Sequence, residues 1–143
     1  MPQPSSAPPA FAVLSIECSR EGFARARSFT RDTLRVWSLG HRSDDAALVV
    51  AELTANAATH AARRIAGAPD IRLGLRLDPA HLLLTVSDPD DDPPVRACSA
   101  DSPLEEHGRG LCIVDALAET WGWSPTPPAG KTVWARLSTC PPT

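Results

Sequence analysis

From Asp44 to Arg64 the chain runs without a proline or a glycine, although the whole sequence holds fifteen prolines and eight glycines. In a chain so rich in breakers, an uninterrupted run of that length predicts a long helix against which the rest must pack. Ala46, Val49, Val50, Leu53, Ala57 and Ala61 recur at helical spacing and form one apolar face. Glu52, Asn56 and His60 stand at i, i+4 and i+8, so their side chains stack along a different face. A carboxylate, a carboxamide and an imidazole in one row on a largely apolar helix suit a site. They also suit the polar side of an ordinary amphipathic helix, and the rest of the chain must decide.

The other segments can be placed in order. Residues 1–10, rich in Pro and Ser, form a flexible tail because they cannot bury enough surface to offset ordering entropy. Phe11 to Glu17 is apolar and predicts a first strand. Arg20 to Leu39 predicts a helix, with Phe23, Ala26, Arg27, Thr30, Leu34 and Trp37 as its stripe and Gly40 as its C′ residue. Ser43 is expected to cap the long helix, with Asp44 and Asp45 favoured in its first turn by the helix dipole, and the helix should end near Ile65-Ala66-Gly67.

Asp70 to Leu77 alternates apolar and polar residues, Asp78-Pro79-Ala80 makes a turn, and His81 to Ser87 returns as the second strand of an antiparallel hairpin. Residues 89–107 show no periodicity, and a loop of that length is either a functional lid or disorder; its prolines and its place before Gly108 point to a mobile lid. Gly108-Arg109-Gly110 is expected to be a turn that opens a helix over Leu111 to Glu119. Thr120 to Ser124 and Lys131 to Leu137 are the last two strands, and 139–143 is a tail. The order predicts one domain over residues 11–138. Its class is α+β: a two-layer α/β sandwich with helices on one face of a mixed, largely antiparallel sheet.

Composition removes several classes of function. A net charge of −3 gives no electrostatic case for nucleic acid or an anionic membrane. No apolar run approaches bilayer length, and the N-terminus lacks the basic and apolar regions of a secretory signal, so a cytoplasmic location is expected. The four cysteines are scattered without a Cys-x-x-Cys pair, which favours reduced thiols over zinc or a disulfide framework.

Three separated segments carry groups with chemistry. An Asn carboxamide oxygen such as that of Asn56 is a hard ligand for Mg²⁺, which usually takes only one or two protein oxygens. Glu52, one turn earlier, could take a proton from a hydroxyl nucleophile. Asp88, where a strand ends, can accept a hydrogen bond from an exocyclic amine. Backbone N–H groups at Gly108-Arg109-Gly110 could hold phosphate. Singly, each has an ordinary explanation: a tight turn for the glycines, a turn-former for Asp88, a structural histidine for His60. Trp37, Trp121, Trp123 and Trp134 are expected in core and rim packing.

In this order and at these separations the segments resemble the ATP-binding fold shared by gyrase, histidine kinases and mismatch-repair ATPases, and most closely its anti-sigma-factor serine/threonine kinases. Glu52-Leu53-Thr54-Ala55-Asn56-Ala57 is similar to the family's Glu-x-x-x-Asn-Ala box, in which the Glu is the catalytic base and the Asn holds Mg²⁺. Asp88 stands where the family's adenine-reading Asp stands. Gly108-Arg109-Gly110-Leu111 resembles the glycine box at the hinge of the nucleotide lid. Gly130-Lys131-Thr132-Val133-Trp134 resembles the final strand, whose Thr assists Asp88 in holding adenine.

The resemblance implies ATP and Mg²⁺ as cofactors. It implies Glu52 as the catalytic residue and Asn56 as the metal ligand. Asn56, His60, Asp88, Gly108, Arg109, Gly110, Leu111 and Thr132 would lie around the nucleotide. It also implies a sigma factor and an anti-sigma-factor antagonist as partners, and a homodimer. In one place the sequence departs from the pattern: the family's Asp-x-Gly is Asp88-Pro89-Asp90 here. The expected function is an ATP-binding regulator phosphorylating a protein hydroxyl, and the alternative is a relative that sequesters a partner without catalysis.

Overall fold

The computed structural model of the chain describes residues 10–61, 71–88, 106–125 and 130–140, with the backbone alone at 58–61 and 106–111. Its strands are β1 (Ala10–Ile16), β2 (Ile71–Leu77), β3 (His81–Asp88), β4 (Thr120–Pro125) and β5 (Lys131–Ser138). Its helices are α1 (Arg20–Val36), α2 (Ser43–Ala61) and α3 (Glu106–Leu117), with a 3-10 turn at Gly40–Arg42. The tail at 1–9 and the stretch 62–70 lie outside the described residues. So does most of the expected lid, residues 89–105.

Period-two alternation sets the sheet. Ile71, Leu73 and Leu75 on β2, Leu82, Leu84 and Val86 on β3, and Val133, Ala135 and Leu137 on β5 are all buried on one face. Against that face pack α1, on β1, and α2, on β3 and β5, while α3 packs on α2 and β4. The architecture is therefore α+β, as expected. The five strands run in the order β1-β2-β3-β5-β4, and every pairing is antiparallel. Among the described residues the sheet is thus wholly antiparallel, where the sequence predicts a mixed, largely antiparallel one. β5 lies between β3 and β4, so the last strand of the chain enters the sheet inside its predecessor.

The helices form where the sequence places them, but their ends differ. Ser19 caps α1, its Oγ accepting from the Gly22 N–H at 2.9 Å. A side chain at Gly22 would run into the Glu17 carbonyl oxygen, so the chain needs glycine where it turns from β1 into α1. Gly22, Ala26, Thr30 and Leu34 are the buried positions of α1, whereas Arg27, expected in the stripe, is exposed. The helix stops at Val36, and the C′ residue is Ser38, with φ 62°, not Gly40. The Leu39 N–H donates to Leu34 O at 2.7 Å and the Ser38 N–H to Arg35 O at 3.1 Å, closing a Schellman turn. Leu34 and Leu39, both buried, supply its apolar contact.

A non-glycine residue in the left-handed region carries a steric cost. Ser38→Gly is therefore expected to raise stability by about 0.5–1 kcal/mol, read as a higher denaturant midpoint with an unchanged slope.

Ser43 does not cap α2 by accepting a bond. It is the first helical residue, and its Oγ donates to Gly40 O at 2.9 Å. Ala46, Val49, Val50, Leu53 and Ala57 form the buried face, as the spacing predicts. Three of the four tryptophans pack as expected, whereas Trp123 is exposed. Trp37 and Trp121 lie against the core, with Trp121 Nε1 donating to Asp115 Oδ1 at 2.7 Å, and the Trp134 ring covers Gly122. One cysteine expectation fails: Cys18 and Cys140 are exposed, but Cys112 is disulfide-bonded. No helix among the described residues is long and apolar enough to cross a membrane.

Candidate functional site

The candidate site residues lie on α2 and at the paired ends of β3 and β5, two strands that α2 packs against. Glu52 and Asn56 are one turn apart on α2 and differ in environment. Glu52 is half-buried, whereas Asn56 is 4% exposed. Its Oδ1 is buried and accepts no hydrogen bond among the described residues. A buried carbonyl oxygen without a donor costs free energy, so a helix that keeps one there has an acceptor waiting for a donor or a cation. Such an acceptor suits Mg²⁺, which takes few protein oxygens, and a single amide oxygen fits the ion. Among the described residues no group of three or more His, Cys, Asp or Glu could form an all-protein cage, and Mg²⁺ usually has no such cage.

Burial also acts on Glu52. Desolvation pushes its carboxyl above the ordinary 4.5. The folded protein then holds the Glu52 proton to higher pH than the unfolded chain does. The stability this contributes is complete below the ordinary value and is lost as pH rises through the folded value. Wild-type stability is expected to fall over that window relative to Glu52→Gln, whose side chain does not titrate. Paired denaturant titrations across the acid-to-neutral range check this. Parallel curves would contradict the assignment.

The second half of the site is a pair of strand ends in register. Asp88 closes β3 opposite Lys131, the first residue of β5, and Ser87 lies opposite Thr132. Asp88 is 6% exposed and Lys131 fully buried. Lys131 Nζ donates to Asp88 Oδ1 at 3.1 Å. Next to them the hydroxyls of Ser87 and Thr132 share a hydrogen bond of 2.8 Å. Gly130, with φ 100°, brings the chain into β5 through a conformation that L side chains rarely adopt.

The structure thus brings Asp88 and Thr132 together, and it joins Glu52 to Asn56 on a helix packed against their strands. The side chains of His60, Arg109 and Leu111 lie outside the described residues, and of Gly108 and Gly110 only the backbone trace is described. The backbone at 108–111 corrects one expectation. α3 begins at Glu106, so residues 108–111 are inside the helix and not in a turn ahead of it. Only the first four N–H groups of a helix lack an internal acceptor, so the Gly110 N–H belongs to the helical ladder.

Lys131 is a site residue that sequence reasoning passed over. The signal was present, because residues 131, 133, 135 and 137 share one strand face, and Val133, Ala135 and Leu137 mark it as the core face. A lysine there needs a carboxylate, and Asp88 lies on the same face of β3 as Leu82, Leu84 and Val86.

Compared with models of known protein families, residues 17–137 match the histidine kinase-like ATPase domain. No curated protein matches the chain. The match bears out the resemblance to the ATP-binding fold of histidine kinases and gyrase, and the likeness to anti-sigma-factor kinases is narrower than the match itself.

Proposed function

The chain belongs to the histidine kinase-like ATPase domain family, and from that premise we propose that it is an ATP-binding regulator that phosphorylates a protein hydroxyl. The substrate we propose is an anti-sigma-factor antagonist, with a sigma factor as the sequestered partner and a homodimer as the working unit. The observation that carries the reading is the Asn56 Oδ1 atom, buried without a hydrogen bond among the described residues, one turn from a half-buried Glu52.

Each residue would have a defined task. Asn56 offers its carboxamide oxygen to Mg²⁺. Bound Mg-ATP supplies the phosphoryl group and the charge neutralisation that makes it transferable. Glu52 accepts the proton of the partner hydroxyl, and its raised pKa brings it nearer the working pH that suits a general base. Asp88 accepts from the exocyclic amine of adenine, and Thr132 supports it from the next strand. The work of such a site is positioning, with little covalent chemistry left to the protein.

Asn56→Ala tests the metal assignment. It is expected to weaken nucleotide binding strongly in Mg²⁺ and much less in EDTA, and equal binding by variant and wild type in Mg²⁺ would remove Asn56 from the role. The function as a whole is tested by incubating the protein with γ-labelled ATP, Mg²⁺ and an antagonist protein from the same operon. Label on a serine or threonine of the antagonist supports the proposal, and none contradicts it.

A second reading, a sequestering module without catalysis, is favoured by the strand-end pair. Lys131 engages the carboxylate assigned to adenine, and Asp88-Pro89-Asp90 replaces the more open Asp-x-Gly. It predicts partner binding without transfer of label.

A further inference from the structure

Both residues assigned to the base are engaged by neighbours, Asp88 by Lys131 and Thr132 by Ser87. The Lys131 contact differs in kind. Its ammonium is fully buried, and it faces Asp88 across the β3–β5 register at the position where the two strands end. A lysine ammonium has three donors and no acceptor, so it can meet only an oxygen. A carboxylate has about four lone-pair sites and no donor, so it can serve Lys131 and a second donor together.

We propose that Lys131 is a positioning residue for base recognition: its bond holds one end of the residue 88 side chain and turns the other to the base, which in Asp88 is an acceptor that takes a 6-aminopurine and opposes a 6-oxopurine. The inference rests on the nucleotide reading given above. An amine at position 6 of the purine donates to the carboxylate, whereas an oxo group would set acceptor against acceptor. A buried mismatch of that kind is worth about 10–100-fold in affinity.

The role of Lys131 becomes visible when residue 88 has two different ends. In Asp88→Asn the buried ammonium can bond only the oxygen end of the carboxamide. The amide N–H groups are then turned to the base, and the preference should invert. Without the lysine, residue 131 no longer sets which end of the carboxamide meets the base, and the preference should vanish.

The test compares binding of Mg-ATP with that of Mg-inosine triphosphate, which carries the 6-oxo group. The proteins are the wild type, Lys131→Arg, Asp88→Asn and the double variant Asp88→Asn/Lys131→Met, each checked for a cooperative thermal transition. The wild type and Lys131→Arg are expected to prefer ATP by about 10–100-fold. Asp88→Asn should prefer the 6-oxo nucleotide by a similar factor, and the double variant should stand near parity. The double variant buries no charge at the pair, so it keeps the comparison available if Asp88→Asn alone does not fold. A wild type that prefers ATP, with an Asp88→Asn protein that still prefers ATP or a double variant that keeps a clear preference, overturns the role of Lys131 alone. A wild type that binds neither triphosphate overturns the nucleotide reading and this inference with it.

Discussion

Glu52→Gln is expected to lower phosphoryl transfer to the partner hydroxyl by roughly 10²–10⁴-fold, the range carried by a positioned general base. The change keeps size and hydrogen-bonding shape and removes only the proton acceptor. A base acts in the transition state, so affinity for ATP should shift little. Partner sequestration should survive as well, because it needs the folded surface and not the chemistry. Single-turnover transfer measured beside equilibrium ATP binding separates these effects. If Glu52→Gln transfers as fast as an active wild type, Glu52 is not the base, although the fold stands. If the wild type itself transfers nothing, the sequestering module is the better account.

The largest effect on stability is expected at Lys131. Its ammonium and the Asp88 carboxylate are both buried, 3.1 Å apart. Lys131→Met leaves Asp88 as a buried charge without this counter-ion, which should destabilise the protein by about 3–5 kcal/mol. Replacing both partners, as in Asp88→Asn/Lys131→Met, should recover most of that loss, because the cost lies in the uncompensated charge and not in the absent attraction. Denaturant unfolding of the wild type, the two single variants and the double variant forms the cycle. A loss below about 1 kcal/mol in Lys131→Met would be the behaviour of a solvent-exposed pair and would contradict this account.

Much of the fold was legible because breakers and alternation mark the elements sharply. The proline- and glycine-free run became α2, with Ala46, Val49, Val50, Leu53 and Ala57 buried as their spacing required. The alternation at Ile71 to Leu77 and at Lys131 to Leu137 became β2 and β5. Strand order was not legible. Periodicity says which face of β5 is apolar and does not say that β5 inserts between β3 and β4.

Element ends were the other losses. Gly40 looked like the helix stop because glycine tolerates positive φ, yet Ser38 takes that conformation, where Leu39 can fold back onto Leu34. Gly108 and Gly110 looked like a turn because glycine is a poor helix former. Packing of α3 against α2 outweighs that preference. At the candidate site, the helical spacing of Glu52 and Asn56 was readable from sequence. That Lys131 shares the core face of its strand was readable too, but which carboxylate meets it was not, since that depends on β3 and β5 being neighbours in a particular register.

The central claim is that α2 and the ends of β3 and β5 form one nucleotide site completed through Asn56. Titration calorimetry of the purified chain with ATP, with and without Mg²⁺, tests it most directly. The account predicts saturable binding of one nucleotide per chain in the micromolar to millimolar range, tighter with Mg²⁺ than in EDTA, and a Mg²⁺ dependence that disappears in Asn56→Ala. Binding that does not saturate, or an Asn56→Ala protein with the full Mg²⁺ dependence of the wild type, would contradict it.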